Sequence, residues 1–489
     1  MKKWRSVAAM ATIAISALVL AACGKSSSSN SSTSNDGKTV VSMYMPGDKP
    51  KNYDDLIKAA NKEIQKKYPK LALNMNFIGW GDYAKKYNVM VTSGDTYDIA
   101  FSQDYVTNAQ KGAYADLTDL IQKYAKTAYD QVDPAYWKGV TVKDKVYAFP
   151  INANVYAQND IAFSDEFVKK YDLDISKVKS YQDLEPILAK FHKANPSVAA
   201  FAIGQGYKVS SRAMEFPLGN NLPFAIDATG ANKKVVNIFD TPEMQKNLET
   251  LHSYYEKGYI PKDAATSSTQ YNLNDPTWLA RQETVGPFDY GNTALENAAG
   301  GKKITTMPIT DPFKSQAQAQ VALWNVSKSS KHKKEAVQIL GLLNSDKKLL
   351  NNIVWGLEGK QWKFTDEKAG KIQTTSDYKP GYFIGAWMMG NNSLLYTQDT
   401  VTQTMIDQRN SSIKAAKQSA MLGFMPDTSD YKTELTNIAN VMSKYSDILN
   451  TGTADPVPTI KKMDAELKTA GYDKVQAALQ SQYDKFLAQ

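Results

Sequence analysis

The chain holds 28 tyrosines and 8 tryptophans, and several aromatics stand beside a carboxylate or an amide. Trp80, Asp82 and Tyr83 lie within four positions. Gln103 and Asp104 are adjacent, as are Trp324 and Asn325, and Asn152 follows the stretch KVYAFPI. Such sets suit a ring with one apolar CH face and a rim of hydroxyls. Aromatic faces stack on the ring, while carboxylates and amides take paired hydrogen bonds from adjacent hydroxyls. Two carboxyl groups about 5–10 Å apart would instead cleave a glycosidic bond. Chance acidic pairs keep a secreted glycosidase open as an alternative, but no GxSxG, HExxH or Walker loop occurs. His192, His252 and His332 lie far apart without ligand spacing, so neither a metal nor a cofactor is expected. The adjacent Tyr254 and Tyr255 fit helix packing better than iron binding. One cysteine, Cys23, excludes an intramolecular disulfide, a zinc–thiolate cage and a CxxC pair. Asp82 and Asp104 also fit the plainer role of capping helices.

The elements that must position these residues alternate. Thr39–Met45 is β-rich and ends at Pro46-Gly47, a turn signal. Leu56, Ile57, Ala60 and Ile64 recur at helical spacing, with Asn52 as a candidate cap. Leu71, Leu73, Met75 and Phe77 alternate with polar or small residues, and the Asp82 segment is again helical before the strand Tyr97–Ser102. Strand, helix, strand, helix, strand predicts a mainly parallel sheet covered by helices. Lys145–Ile151 crosses away to a second such set, which includes helices Tyr181–Lys193 and Pro242–Lys257. Short strands return near Thr284–Pro287 and Ile304–Pro308, and the end of the chain from about Thr428 is mostly helical. The fold class expected is α/β, two lobes joined at a hinge. Lobe one is placed at 38–150, continued at about 292–350. Lobe two is placed at 151–291, continued at about 351–489. Loops at the carboxyl ends of parallel strands put a ligand between the lobes. Trp80, Asp82, Tyr83, Gln103 and Asp104 all follow strands in that way.

The N-terminus has its own signature. Lys2, Lys3 and Arg5 precede an apolar run of roughly sixteen residues, too short for a comfortable membrane span. The run ends Leu20-Ala21-Ala22-Cys23, which resembles the lipobox of bacterial lipoproteins. That resemblance implies cleavage after residue 22, acylation of Cys23 and a lipid-anchored protein on the outer face of the cell membrane. Residues 25–38, KSSSSNSSTSNDGK, contain seven serines and no large apolar side chain, so residues 23–37 form a tether. The formal charge is +8; losing Lys2, Lys3 and Arg5 leaves +5. The basic residues are scattered among acidic ones, which excludes nucleic acid as a partner.

The segment NMNFIGWGDYAKKYNVMVTSGDTYDIAFSQ (74–103), KGAYADLTDLI (111–121), Gly286-Pro287-Phe288 and Ser330–Ala336 occur in the order seen in solute-binding proteins of sugar ABC importers. The chain resembles that family, which includes maltose-binding protein. NIVWGLEGK (352–360), NSLLY (392–396), LGFMPD (422–427) and the helical text after 437 resemble its Gram-positive LipO/LplA-like subgroup, which carries a C-terminal extension. The resemblance implies a monomeric binding lipoprotein that delivers a carbohydrate to membrane permease subunits, with a peptide-binding importer lipoprotein as the non-sugar alternative. It also implies a sugar-binding aspartate at Asp104 and a stacking aromatic just after the Gly-Pro element, where Phe288, Asp289 and Tyr290 stand as candidate contacts and many relatives carry Trp in place of Phe. Trp355 and Glu358 lie in the subgroup's motif. Trp278 and Trp387 are expected to be core.

Overall fold

The computed structural model describes residues 37–93, 97–269, 271–275, 277–379, 381 and 384–489. Cys23 and the tether up to residue 36 lie outside them. Two sheets organise the chain. In chain order their strands are β1 (Thr39–Pro46), β2 (Leu71–Ile78), β3 (Ile99–Phe101), β4 (Ala148–Pro150), β5 (Gln158–Ser164), β6 (Ala199–Phe201), β7 (Trp278–Val285), β8 (Ile304–Pro308) and β9 (Leu323–Val326). The first sheet has the order β2-β1-β3-β9-β4 and the second β8-β5-β7-β6.

The alternation read in β1 and β2 is what builds the first sheet. Val41, Met43 and Met45 are fully buried, with Leu71 and Leu73 beside them, and the two strands run parallel from Thr39 opposite Leu71 to Pro46 opposite Ile78. Helix Tyr53–Lys67 buries Leu56, Ala60 and Ile64 at the expected spacing. Asn52 precedes it without a side-chain cap bond; Tyr53 fixes the helix start instead, its hydroxyl donating to the Met75 carbonyl and accepting from the Met75 N–H. β9 runs antiparallel to β3 and β4, so the other strands keep one direction. The second sheet departs from the mainly parallel expectation. β5 is antiparallel to both β7 and β8, and only β6 and β7 pair in parallel.

Each sheet has its own core. The first draws on residues 41–156, 319–354 and 384–389, with Leu422. The second draws on residues 161–309 and 421–483. These spans move two expected boundaries. The segment from 292 does not return to the first lobe: Ile304–Pro308 pair with Asp160–Ser164, and the return comes only after Ile309. The segment from 351 does not enter the second lobe: Ile353, Val354, Ile384, Met388 and Met389 pack in the first core. The last transfer falls between 399 and 420. Helices Lys432–Asn450, Pro456–Thr469 and Tyr472–Leu487 then cover the second core, with Leu449, Met463, Val475 and Tyr483 buried in it.

The chain therefore passes three times between the cores, and the three passages lie side by side. Tyr156 on the first bridges Lys314 on the second. Phe313 and Lys314 pair with Lys417 and Gln418 on the third. The Lys314 ammonium reaches the Asp133 carboxylate at 2.7 Å, both groups mostly buried. No helix among the described residues is long and apolar enough to cross a membrane.

Candidate functional site

Helix Trp80–Ser93 opens immediately beyond β2, so Trp80 stands at the carboxyl end of the first sheet. It is 57% exposed. Its indole stacks on that of Trp387, with centroids 5.9 Å apart and planes at 18°. Trp387 is 45% exposed and meets Phe101 edge-on at 6.0 Å. Phe101 in turn meets Trp324 edge-on at 5.4 Å, and the Trp324 N–H donates to the Met388 carbonyl at 3.0 Å. An aromatic ladder thus runs from the core to an exposed pair of indoles. Rigid, amphipathic and already desolvated on their shared face, these rings suit stacking on a flat apolar surface.

The loop that carries Trp387 is fixed from below. Gly390 has φ +48°, and a Cβ there would fall 2.1 Å from the Leu343 carbonyl oxygen, so only glycine allows this approach. The Asn152 amide donates to the Asn391 side chain at 2.8 Å, and its carbonyl accepts from the Asn392 N–H at 2.8 Å. Asn152, expected in the ligand site, is buried and acts as the clamp of this loop. The Asn392 amide closes it by donating to the carbonyls of Ala386, Met389 and Gly390.

Three further expected contacts prove to be core. Tyr83 is buried, its hydroxyl donating to the Phe101 carbonyl at 2.6 Å, because the helix face that carries it packs on the sheet. Trp324 is 1% exposed, since β9 lies inside the sheet and not at its end. Asn325 is fully buried and its amide is saturated by Tyr97, Tyr87, Ala100 and Ser102. Asp82 is exposed on the first helical turn, facing Lys86 at 4.0 Å. Gln103 is half-buried, its amide donating to the Ser102 carbonyl. Asp104 is exposed, with left-handed backbone at φ 47°, and its side chain makes no cap bond to the helix it precedes. A non-glycine residue held there is the kind of strain that marks functional positions, and its carboxylate points to no structural partner among the described residues.

On the second core, the residues after β7 form a tight turn. The Phe288 N–H donates to the Asn154 side-chain oxygen at 2.9 Å, and the Gly286 N–H donates to the Asp289 carboxylate. A Cβ on Gly286 would lie 2.2 Å from Asn154. Burial pushes the Asp289 carboxyl up, opposed by its bonds to Gly286 and Asn154, so Asp289 mainly holds the turn. The turn presents Phe288 and Tyr290 to a cavity of about 200 Å³ that Trp355, Asn392, Tyr396 and Gln398 also line. Ala386, next to Trp387 in the chain, lines it too. The cavity therefore has walls from both cores. The Trp355 indole N–H is buried without a partner among the described residues, a donor left for whatever fills the space. Arg409, on the exposed helix Gln403–Ala415, lies over the Phe288 ring at 4.8 Å and donates to the Tyr290 hydroxyl at 2.6 Å. Glu358 is exposed outside the cavity, its backbone bridging Trp362.

The structure so brings Phe288, Asp289, Tyr290 and Trp355 together around one cavity with Asn392 and Tyr396, sets Arg409 against Phe288 and Tyr290, and pairs Trp80 with Trp387, one residue along the chain from the cavity wall at Ala386. A hint of Trp387 was present in the text GAWMMGNN, where turn-forming glycines flank an aromatic.

Residues 47–356 match the bacterial extracellular solute-binding protein family, and residues 420–488 match a domain of unknown function, DUF3502. A carbohydrate ABC transporter substrate-binding protein of Streptococcus pneumoniae serotype 4 is 44% identical over 490 residues, covering 100% of this chain and 99% of the relative. The crystal structure of the N-glycan transport solute-binding protein NgtS from S. pneumoniae superposes with a TM-score of 0.89 at 44% identity, over 92% of this chain and 99% of that one. Its complex with Man5GlcNAc gives a TM-score of 0.78 at the same identity, 92% and 99% being covered. An HMO-binding solute-binding protein of Bifidobacterium longum infantis shares the fold, with a TM-score of 0.65 at 17% identity over 92% of this chain and 100% of that one.

Proposed function

The chain belongs to the bacterial extracellular solute-binding proteins, and from that premise we propose that it captures a carbohydrate, an oligosaccharide or complex glycan, between its two cores and hands it to the permease of an ABC importer. It is a binding protein and not an enzyme. The observation that carries the sugar reading is the stacked, half-exposed pair Trp80–Trp387, beside a cavity that Phe288, Tyr290 and Trp355 line from both sides. We assign to the ring hydroxyls Asp104, exposed and without a cap bond, and the Trp355 N–H, unpartnered among the described residues. The N-glycan transport solute-binding protein NgtS is 44% identical to this chain, which favours a glycan over a peptide.

Closure of the two cores on the ligand fits the comparisons. NgtS, 44% identical in both cases, overlays with a TM-score of 0.89 in one crystal structure and 0.78 in its complex with Man5GlcNAc. A fall in overlay at constant sequence reflects conformation, as hinge closure would produce. The test is thermal melting of the mature chain against branched mannose glycans, maltodextrins and a peptide mixture. A ligand at about 100 times its Kd stabilises the folded state by about 2.7 kcal/mol, so the expected result is a rise of several degrees with a glycan alone. A rise with peptides and none with any glycan would replace the carbohydrate reading by the peptide one.

Anchoring completes the reading. Cys23, outside the described residues, is the acylated N-terminus that holds the monomer at the extracellular face of the cell membrane, close to its permease. Cys23→Ala is expected to release the protein into the medium or leave an unprocessed precursor. A processed Ala variant that stays on the membrane through a high-salt wash would refute the lipid anchor.

A further inference from the structure

A second groove, of about 430 Å³, opens where the second passage leaves the second core. It is about twice the volume of the aromatic cavity and shares no lining residue with it. Phe216 and Phe313, both half-buried, lie on its walls as flat apolar faces. Asn159, Asn220 and Gln318 supply amides. Its charges cancel: the Arg212 guanidinium holds the Asp311 carboxylate at 3.0 Å. Two polar atoms on this wall are buried without a partner among the described residues, the Ser211 hydroxyl and one oxygen, Oε1, of Glu215. Glu215 is 9% exposed. Its other oxygen, Oε2, accepts from the Ser419 hydroxyl on the third passage. Burial pushes its carboxyl up to about 7, opposed by the nearby Gln316 N–H and Ser315 hydroxyl. Near neutral pH the group is therefore present both as acceptor and as donor, which suits a hydroxyl and repels neither a neutral nor a weakly polar ligand.

Flat faces, amides, cancelled charge and unsatisfied buried oxygens are the chemistry that recognises a neutral polyhydroxyl ring. We propose that this groove is a second carbohydrate subsite, with Glu215 Oε1 and Ser211 Oγ as its hydrogen-bonding groups and Phe216 and Phe313 as its ring faces. The proposal rests on the carbohydrate reading above. The sugar in the groove is either a second arm of the glycan held by the aromatic cavity or a separate molecule. Because Glu215 also holds Ser419, a ligand here touches the passages that the two cores turn about.

Titration calorimetry on the mature chain decides it, with linear mannotriose and a branched five-mannose glycan as probes. A single glycan using both sites binds about tenfold more tightly when branched than when linear. Separate molecules instead give two equivalents of the linear sugar. Asn220→Ala changes an exposed side chain and leaves the fold alone. Glu215→Met keeps the shape and removes the acceptor. Each is expected to abolish most of the branched advantage, or the second equivalent, and to leave the remaining single-site affinity for the linear sugar as in the parent. The proposal is overturned if the parent shows neither advantage nor second equivalent, or if both variants match the parent with both probes. If the parent binds no sugar at all, the carbohydrate reading itself fails and this subsite goes with it; binding by the parent with unaltered variants removes the subsite alone.

Discussion

Trp387→Ala is expected to lower glycan affinity by about ten- to a hundred-fold, roughly 1–3 kcal/mol, and Trp80→Ala by a similar factor. The two indoles hold each other at 5.9 Å, so removing either takes away a ring face and also the neighbour that keeps the survivor in place. Rigid platforms bind without a large ordering cost, which is why they outweigh hydroxyl bonds that only exchange water for protein at about 0.5–1.5 kcal/mol each. The double variant should lose less than the sum of the singles, because the residues share one surface. Half-exposure of both rings confines the stability effect. For Trp387 the lost contact with Phe101 costs about 1 kcal/mol, and for Trp80 less. Calorimetry and thermal melting on the same samples separate the two outcomes. A collapsed melting temperature with parental affinity would make the pair a packing feature and remove it from the site.

Asn325→Ala should act in the opposite way, lowering stability by about 3–5 kcal/mol and leaving the affinity of the folded protein unchanged. The Asn325 oxygen accepts from the Tyr97 hydroxyl at 2.8 Å. Its amide donates to the Ala100 carbonyl and the Ser102 hydroxyl, each at 2.9 Å, and to the Tyr87 hydroxyl at 3.1 Å. Alanine leaves these groups buried without their partner at the junction of β3 and β9. Urea denaturation should show a lower midpoint with an unchanged slope. A normal midpoint with tenfold weaker glycan binding would return Asn325 to the ligand site.

Asn325 also marks where the sequence stops being legible. Trp-Asn at a strand end and Trp-Gly-Asp at a strand end read alike, since both pair an aromatic with a polar group. What separates Trp324-Asn325 from Trp80-Gly-Asp82 is that β9 is inserted between β3 and β4. That neighbour relation spans more than 150 residues of chain and leaves no local trace. The alternation of β1 and β2 and the spacing of helix Tyr53–Lys67 were readable because their cause, one buried face, lies within a few residues. The turn Gly286–Tyr290 was readable through its Gly-Pro start. Trp387 was missed because its exposure depends on Gly390 seating against Leu343 and on the Asn152 clamp, both distant in sequence. The boundary at 292 failed for a related reason. A strand of five residues pairs with either sheet equally well as far as its own composition tells, and only the register with Asp160–Ser164 decides.

The three passages have a mechanical meaning. A lone link between two bodies lets one twist, slide and tilt over the other. Here Tyr156, Lys314 and Gln418 lie side by side in a hydrogen-bonded ribbon, pinned by the Lys314–Asp133 ion pair. Such a ribbon resists shear in its own plane, because sliding one passage past the next breaks its pairings, and it resists torsion for the same reason. Bending out of plane costs little. The two bodies are left with one soft coordinate, like a door on a piano hinge. Under the closure proposed above, every ligand would drive the two bodies along the same arc, and a permease would meet one end-point geometry whatever the cargo.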